Sequence, residues 1–166
     1  PVDCYTIENQ NGARAEILTY GGTLNRLYMP DRNGVLADVL IGFDTLEGHL
    51  KYSDYQGMLV GRYANRIADG AFSLNGDEYH VTQNEKKTTC LHGGGEFSHA
   101  VWDAQPLGDS ALRLVYESPD GAHGFPGRVT ARVTYTLTQE NALRIDYSAV
   151  SDQDTVLNLT NHAYFN

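Results

Sequence analysis

This sequence predicts an all-β fold, an antiparallel β-sandwich, and three observations carry that prediction. Several segments alternate apolar and polar residues with period two. Glycine is frequent, at 17 of 166 residues, and it sits between those segments as turn punctuation. The 11 tyrosines favour pleated, half-buried surfaces over helices, and no long helical periodicity competes with them.

The elements follow in chain order. Strands are expected at 13–19 and 35–41. Segment 44–55, DTLEGHLKYSDY, holds at most a short turn capped by Asp44, with Leu46 and Leu50 facing inward, because Gly48 opposes a long helix. AFSLNGDEYHV is a hairpin, since Asn75-Gly76 tolerates the positive φ angles of a type I′ turn. A strand is expected at 111–117. RVTARVTYTLT is the clearest case: Val129, Ala131, Val133, Tyr135 and Leu137 share one face, and arginines and threonines fill the other. A turn at 139–141 leads to ALRIDYSAV, with Leu143, Ile145, Tyr147 and Ala149 inward. In VLNLTNHAYFN, residues 156–166, the alternation puts Leu157, Leu159, Asn161, Ala163 and Phe165 on a core face. Asn158, Thr160, His162, Tyr164 and Asn166 then form a polar row on the other.

Length suits a single domain with a real core. With 12 Lys+Arg against 21 Asp+Glu, the formal charge of -9 excludes nucleic acid and an anionic membrane surface as partners, because both require clustered positive charge. No apolar run is long enough to span a bilayer. The two cysteines, Cys4 and Cys90, make no disulfide framework and are read as reduced thiols of a cytoplasmic protein.

Four segments carry the candidate chemistry. The polar row of the last segment consists of neutral amides, hydroxyls and an imidazole, the groups that bind an uncharged polyhydroxy ligand; taken alone it also reads as an ordinary exposed face. GMLVGRYANRIADG sets Arg62 and Arg66 four apart, with Asn65 between them, either as hydroxyl-binding forks or as surface arginines paired with acids. CLHGGGEFSHAVW follows His92 with three glycines, which permit close backbone approach to a ligand. Its context is wrong for a phosphate loop, and His92 with His99 fits no common zinc spacing. His49, His80 and His99 are read as structural or surface residues, and Trp102 as core or as a platform for a sugar ring. SPDGAHGFPGRV is a tightly shaped loop leading into a strand.

Together GRYANRI, LHGGGEF with Trp102, SPDGAHGFPGRVTARVTYTL and NLTNHAYFN resemble the aldose 1-epimerase (galactose mutarotase) family, in the family's order and across nearly the whole chain. The resemblance implies a galactose mutarotase-like β-supersandwich, here truncated, with residues 1–166 as its amino-terminal portion. It implies an isomerase that interconverts the anomers of galactose or glucose, without metal or redox cofactor. His162 is then the general acid that protonates the ring oxygen, His92 its partner near the ring oxygen and anomeric hydroxyl, and Arg66 with Asn65 a clamp on substrate hydroxyls. The family's general-base glutamate and a sugar-binding aspartate have no matching position in this chain. The expected partners are therefore the monosaccharide and a carboxy-terminal half chain, or a second copy pairing at open strand edges. The alternative is a sugar-binding module without catalysis.

Overall fold

The structure, a computed structural model, describes residues 1–52 and 55–166. Two four-stranded antiparallel sheets dominate it. The first runs β1 (Cys4–Glu8), β2 (Arg14–Leu18), β3 (Leu24–Pro30), β4 (Leu36–Asp38) in spatial order. Short pieces follow: β5 (Leu40–Ile41), the helix α1 (Leu46–Lys51), β6 (Leu59–Val60), β7 (Arg66–Ala68), the hairpin β8 (Ala71–Leu74) and β9 (Asp77–His80), β10 (Thr89–Leu91), and the one-turn α2 (Glu96–His99). The second sheet is β11 (Asp103–Pro106), β12 (Ala111–Ser118), β13 (Val129–Leu137) and β14 (Leu143–Ser151), again in spatial order. Two-residue strands β15 (Thr160–Asn161) and β16 (Tyr164–Phe165) pair with β6 and β5.

The alternation in β13 explains the core. All five odd-numbered residues from Val129 to Leu137 are buried. Ala131, Val133, Tyr135 and Leu137 meet Ile7, Ala15, Ile17, Leu24 and Leu27 of the first sheet, with Phe97 and Trp102 filling the same cluster. Tyr135 is fully buried, and its hydroxyl donates to the Gly22 carbonyl at 2.8 Å, so a polar group crosses the core already partnered. A smaller cluster of Val81, Cys90 and Phe125 lies beneath β7–β10.

Several expectations are corrected. Residues 35–41 do not form one strand: the Asp38 carboxylate accepts from the Leu27 and Leu40 amides, and the chain kinks between β4 and β5. Thr45, not Asp44, caps α1 through its hydroxyl. His49 is its buried residue, and Leu50 is 60% exposed. Ser53 and Asp54, in the same span, lie outside the described residues. In β14, Tyr147 is 38% exposed, since β14 ends its sheet. The segment 156–166 is not a continuous strand. The Asn161 carboxamide oxygen accepts from the Ala163 amide at 2.9 Å, an Asx-type bond that takes a ladder donor and turns the chain. Leu157 and Phe165, expected in the core, are exposed. Phe165 instead borders an open apolar groove of about 450 Å³ that Leu24, Met29, Val39 and Ile145 also line.

Candidate active site

The turn after Asn161 delivers His162. Its backbone is held at both ends, N–H to the Met58 carbonyl at 2.9 Å and C=O from the Gly57 amide at 3.1 Å. The Asn161 amide nitrogen donates to the Gly57 carbonyl at 2.7 Å and to the Tyr135 hydroxyl at 3.1 Å, so the core braces the turn. His92 follows β10 at φ 52, a left-handed conformation uncommon for a residue with a side chain. Its amide donates to the Asn65 carbonyl at 2.9 Å, while the Asn65 amide donates to His92 Nδ1 at 3.0 Å. The two imidazoles stand with ring centroids 5.2 Å apart and planes at 89°. Tyr55 packs edge-on to His92 at 4.6 Å and lies 6.2 Å from His162, and Tyr164 lies 5.1 Å from His162.

Arg66 opens β7 directly opposite Leu91. Its guanidinium grips Glu85 through two bonds, Nε to Oε2 at 2.6 Å and Nη2 to Oε1 at 2.7 Å. Its Nη1 donates to Asn65 Oδ1 at 3.2 Å. The four residues picked out in sequence, His92, His162, Arg66 and Asn65, thus meet in one cluster. Glu85 and Tyr55 complete it. Neither carried a sequence signal, since Glu85 lies in the polar run QNEKK and Tyr55 in a segment with no periodicity.

Arg62 has the opposite fate. It is fully buried, and its guanidinium donates to Ser118 Oγ at 2.9 Å and to the carbonyls of Pro126 at 2.8 Å, Pro119 at 2.7 Å and Ser118 at 3.3 Å. Ser118 Oγ passes its own proton to Glu96 Oε2 at 2.9 Å, and Tyr116 donates to the other oxygen at 3.1 Å. Glu96 therefore compensates the buried charge through a hydroxyl relay. Burial and the Glu96 carboxylate push the Tyr116 hydroxyl up to about 12. The loop 118–127 is wrapped on Arg62, so this arginine holds the loop and is not a ligand fork.

The glycine run serves the protein's own packing. A methyl group added at Gly93 would sit 2.2 Å from the Gly61 carbonyl oxygen, and one at Gly94 would sit 2.4 Å from the His123 ring. Trp102 is core: it is buried against Phe97, and its indole donates to the Phe97 carbonyl at 3.0 Å. His49 is buried with Nε2 on Asn25 Oδ1, whereas His80 is exposed beside Glu78. His99 is exposed but borders the site, 6.1 Å from Tyr55.

Burial, then His162 and Arg66, lower His92 to about 4, with Glu85 acting weakly in the other direction. Its Nδ1 accepts a backbone proton, so the neutral ring carries its own proton on Nε2. The pairing with Arg66 holds Glu85 below the usual carboxylate range. The cluster thus offers a neutral imidazole donor, a second imidazole and a guanidinium. Among the described residues no group of three His, Cys, Asp or Glu is gathered to hold a metal ion, and no helix is long and apolar enough to cross a membrane.

Comparison with known proteins identifies the family and the fold. The chain is 41% identical over 166 residues to an aldose 1-epimerase of Haemophilus influenzae, covering 100% of this chain and 48% of that protein. It is 42% identical over 154 residues to the galactose mutarotase of Homo sapiens, covering 92% of this chain and 44% of the other. The crystal structure of an aldose epimerase homologue from C. elegans superposes with a TM-score of 0.93 at 34% identity, over 100% of this chain and 51% of that one. A galactose 1-epimerase from Lactobacillus acidophilus gives 0.86 at 29% identity, over 100% and 52%. The chain spans about half the length of the curated relatives it matches. The aldose 1-epimerase family model matches residues 3–166, and the chain belongs to that family.

Proposed function

We propose that this chain carries the acid side of an aldose 1-epimerase active site, acting on galactose, glucose or a similar aldohexose. The observation that carries the reading is the His92–His162 pair, two imidazoles at 5.2 Å with perpendicular planes beside the Arg66 guanidinium. Ring opening of a hemiacetal needs a proton delivered to the ring oxygen and another removed from the C1 hydroxyl. In this reading His162 delivers the first. His92, neutral above about pH 4, donates from Nε2 near the ring oxygen and anomeric hydroxyl and orients the sugar. Arg66 and Asn65 hold hydroxyls further round the ring. Rotation of the open aldehyde and closure then give either anomer, and both protons return. A positioned acid–base group of this kind contributes roughly 10²–10⁴-fold.

The base is assigned, through the family resemblance, to a glutamate with no counterpart in these 166 residues. Residues 1–166 are read as one domain, the amino-terminal portion of the relatives' sandwich. The relatives' remaining sequence, on the same chain or a separate one, is the proposed occupant of the apolar groove beside β14. Polarimetry on freshly dissolved α-D-galactose tests the assignment. The 166-residue chain alone should leave the spontaneous rate unchanged. A catalysed approach to equilibrium by that chain, abolished in His162→Ala, would show that the base lies within it. Saturable galactose binding without catalysis, even with the carboxy-terminal portion added, would favour a sugar-binding module instead.

A further inference from the structure

We propose that Glu85 is a positioning residue of the sugar site: it sets the Arg66 guanidinium in one orientation beside His92. This rests on the hexose reading above and extends it to a residue with no role there. Arginine has five N–H donors. Glu85 takes two of them in a bidentate grip, and Asn65 Oδ1 takes a third. Two N–H groups remain, enough for a pair of adjacent hydroxyls. A side chain that is otherwise more than half exposed would sample many rotamers and lose that entropy on binding.

The carboxylate is itself fixed. Glu85 and Thr89 exchange both backbone bonds, Glu85 N–H to the Thr89 carbonyl at 3.1 Å and the reverse at 3.1 Å, closing the loop 85–89 on itself. Thr89 pairs with Ala68 of β7, the strand that carries Arg66. Next door, the Asn84 carboxamide bonds both backbone groups of Leu91, at 2.7 and 3.0 Å, immediately before His92. Loop, guanidinium and imidazole are thereby tied into one frame. An isolated surface ion pair holds little; this one is bidentate, with its acid on a closed loop and its base sharing Asn65 with His92.

Arginine side-chain NMR and galactose titration test this together. The Arg66 Nε–H signal, assigned by its loss in Arg66→Lys, should be shifted and slow to exchange in the unaltered protein. In Glu85→Gln it should move to the position of a free arginine, and the galactose Kd should rise roughly two- to fivefold. Glu85→Ser provides a second variant should the amide disturb the loop. An unmoved Nε–H signal in Glu85→Gln overturns the proposal, as does a moved signal with unchanged galactose affinity. A protected Nε–H in unaltered protein that binds no galactose counts against the hexose reading and for the Glu85–Arg66 clamp.

Discussion

Replacing His92 by glutamine should remove a specific part of the protein's acid sensitivity. In the unfolded chain this imidazole protonates near its ordinary 6.5; in the folded protein it does so only near 4. Between those values the unfolded state binds the extra proton, so stability falls as pH drops from 6.5 to 4 and levels off below. A separation of about 2.5 pH units corresponds to roughly 3.4 kcal/mol at 1.36 kcal/mol per unit. The ring is only partly buried, and solvent screening brings the expected loss to about 1.5 kcal/mol. His49, lowered by burial, and Glu85 and Asp31, both held low, also penalise acid, but they remain in the variant. The difference between the two proteins therefore isolates His92. Urea unfolding at pH 7.5 and 4.0, with a slope of about 2 kcal/mol per M, should show the unaltered protein losing about 0.7 M more of its midpoint than His92→Gln. Equal losses, or a His92 Cε1–H resonance titrating near 6.5, would refute the assignment of a neutral, Nε2-protonated ring.

Arg62→Met should cost about 3–5 kcal/mol in urea unfolding, because it strands three loop carbonyls that accept from the guanidinium and removes the charge that Glu96 compensates through Ser118. Amide exchange in 118–126 should accelerate in that variant, while Arg66→Met leaves it unchanged. Gly93→Ala should cost well over the 1–2 kcal/mol of a left-handed residue, since its methyl meets the Gly61 backbone. The comparison is Gly76→Ala, at φ 94 with nothing within 4 Å, where the conformational cost alone should appear in the unfolding midpoint. Asn161→Ala should lose roughly 2–3 kcal/mol for its bonds to Gly57, Tyr135 and Ala163, and should weaken galactose binding seen by NMR as His162 loses its brace.

Where pattern and packing agree, the chain could be read directly. The strand β13 was legible residue by residue because alternation records which side of a sheet is dry, and the Asn75-Gly76 turn because its φ angles are local. The alternation failed in 156–166 for a local reason that only context makes visible: a carboxamide oxygen captures an amide that the ladder would otherwise use.

Sequence by itself determined the two-sheet class, through the period of its apolar residues, and the identity of the paired histidines, through motifs. Only the tertiary structure decided what each arginine holds: Arg62 anchors a loop, and Arg66 stands beside His92, gripped by Glu85. Arg62 and Arg66 share a residue type and a neighbourhood, yet one is sealed under loop carbonyls 56–64 positions away and the other is turned by an acid 19 positions away. A local pattern records burial on a strand's face; it holds no record of a hydrogen-bonding partner brought in by distant chain, and that partner is what fixes a buried charge or aims an exposed one.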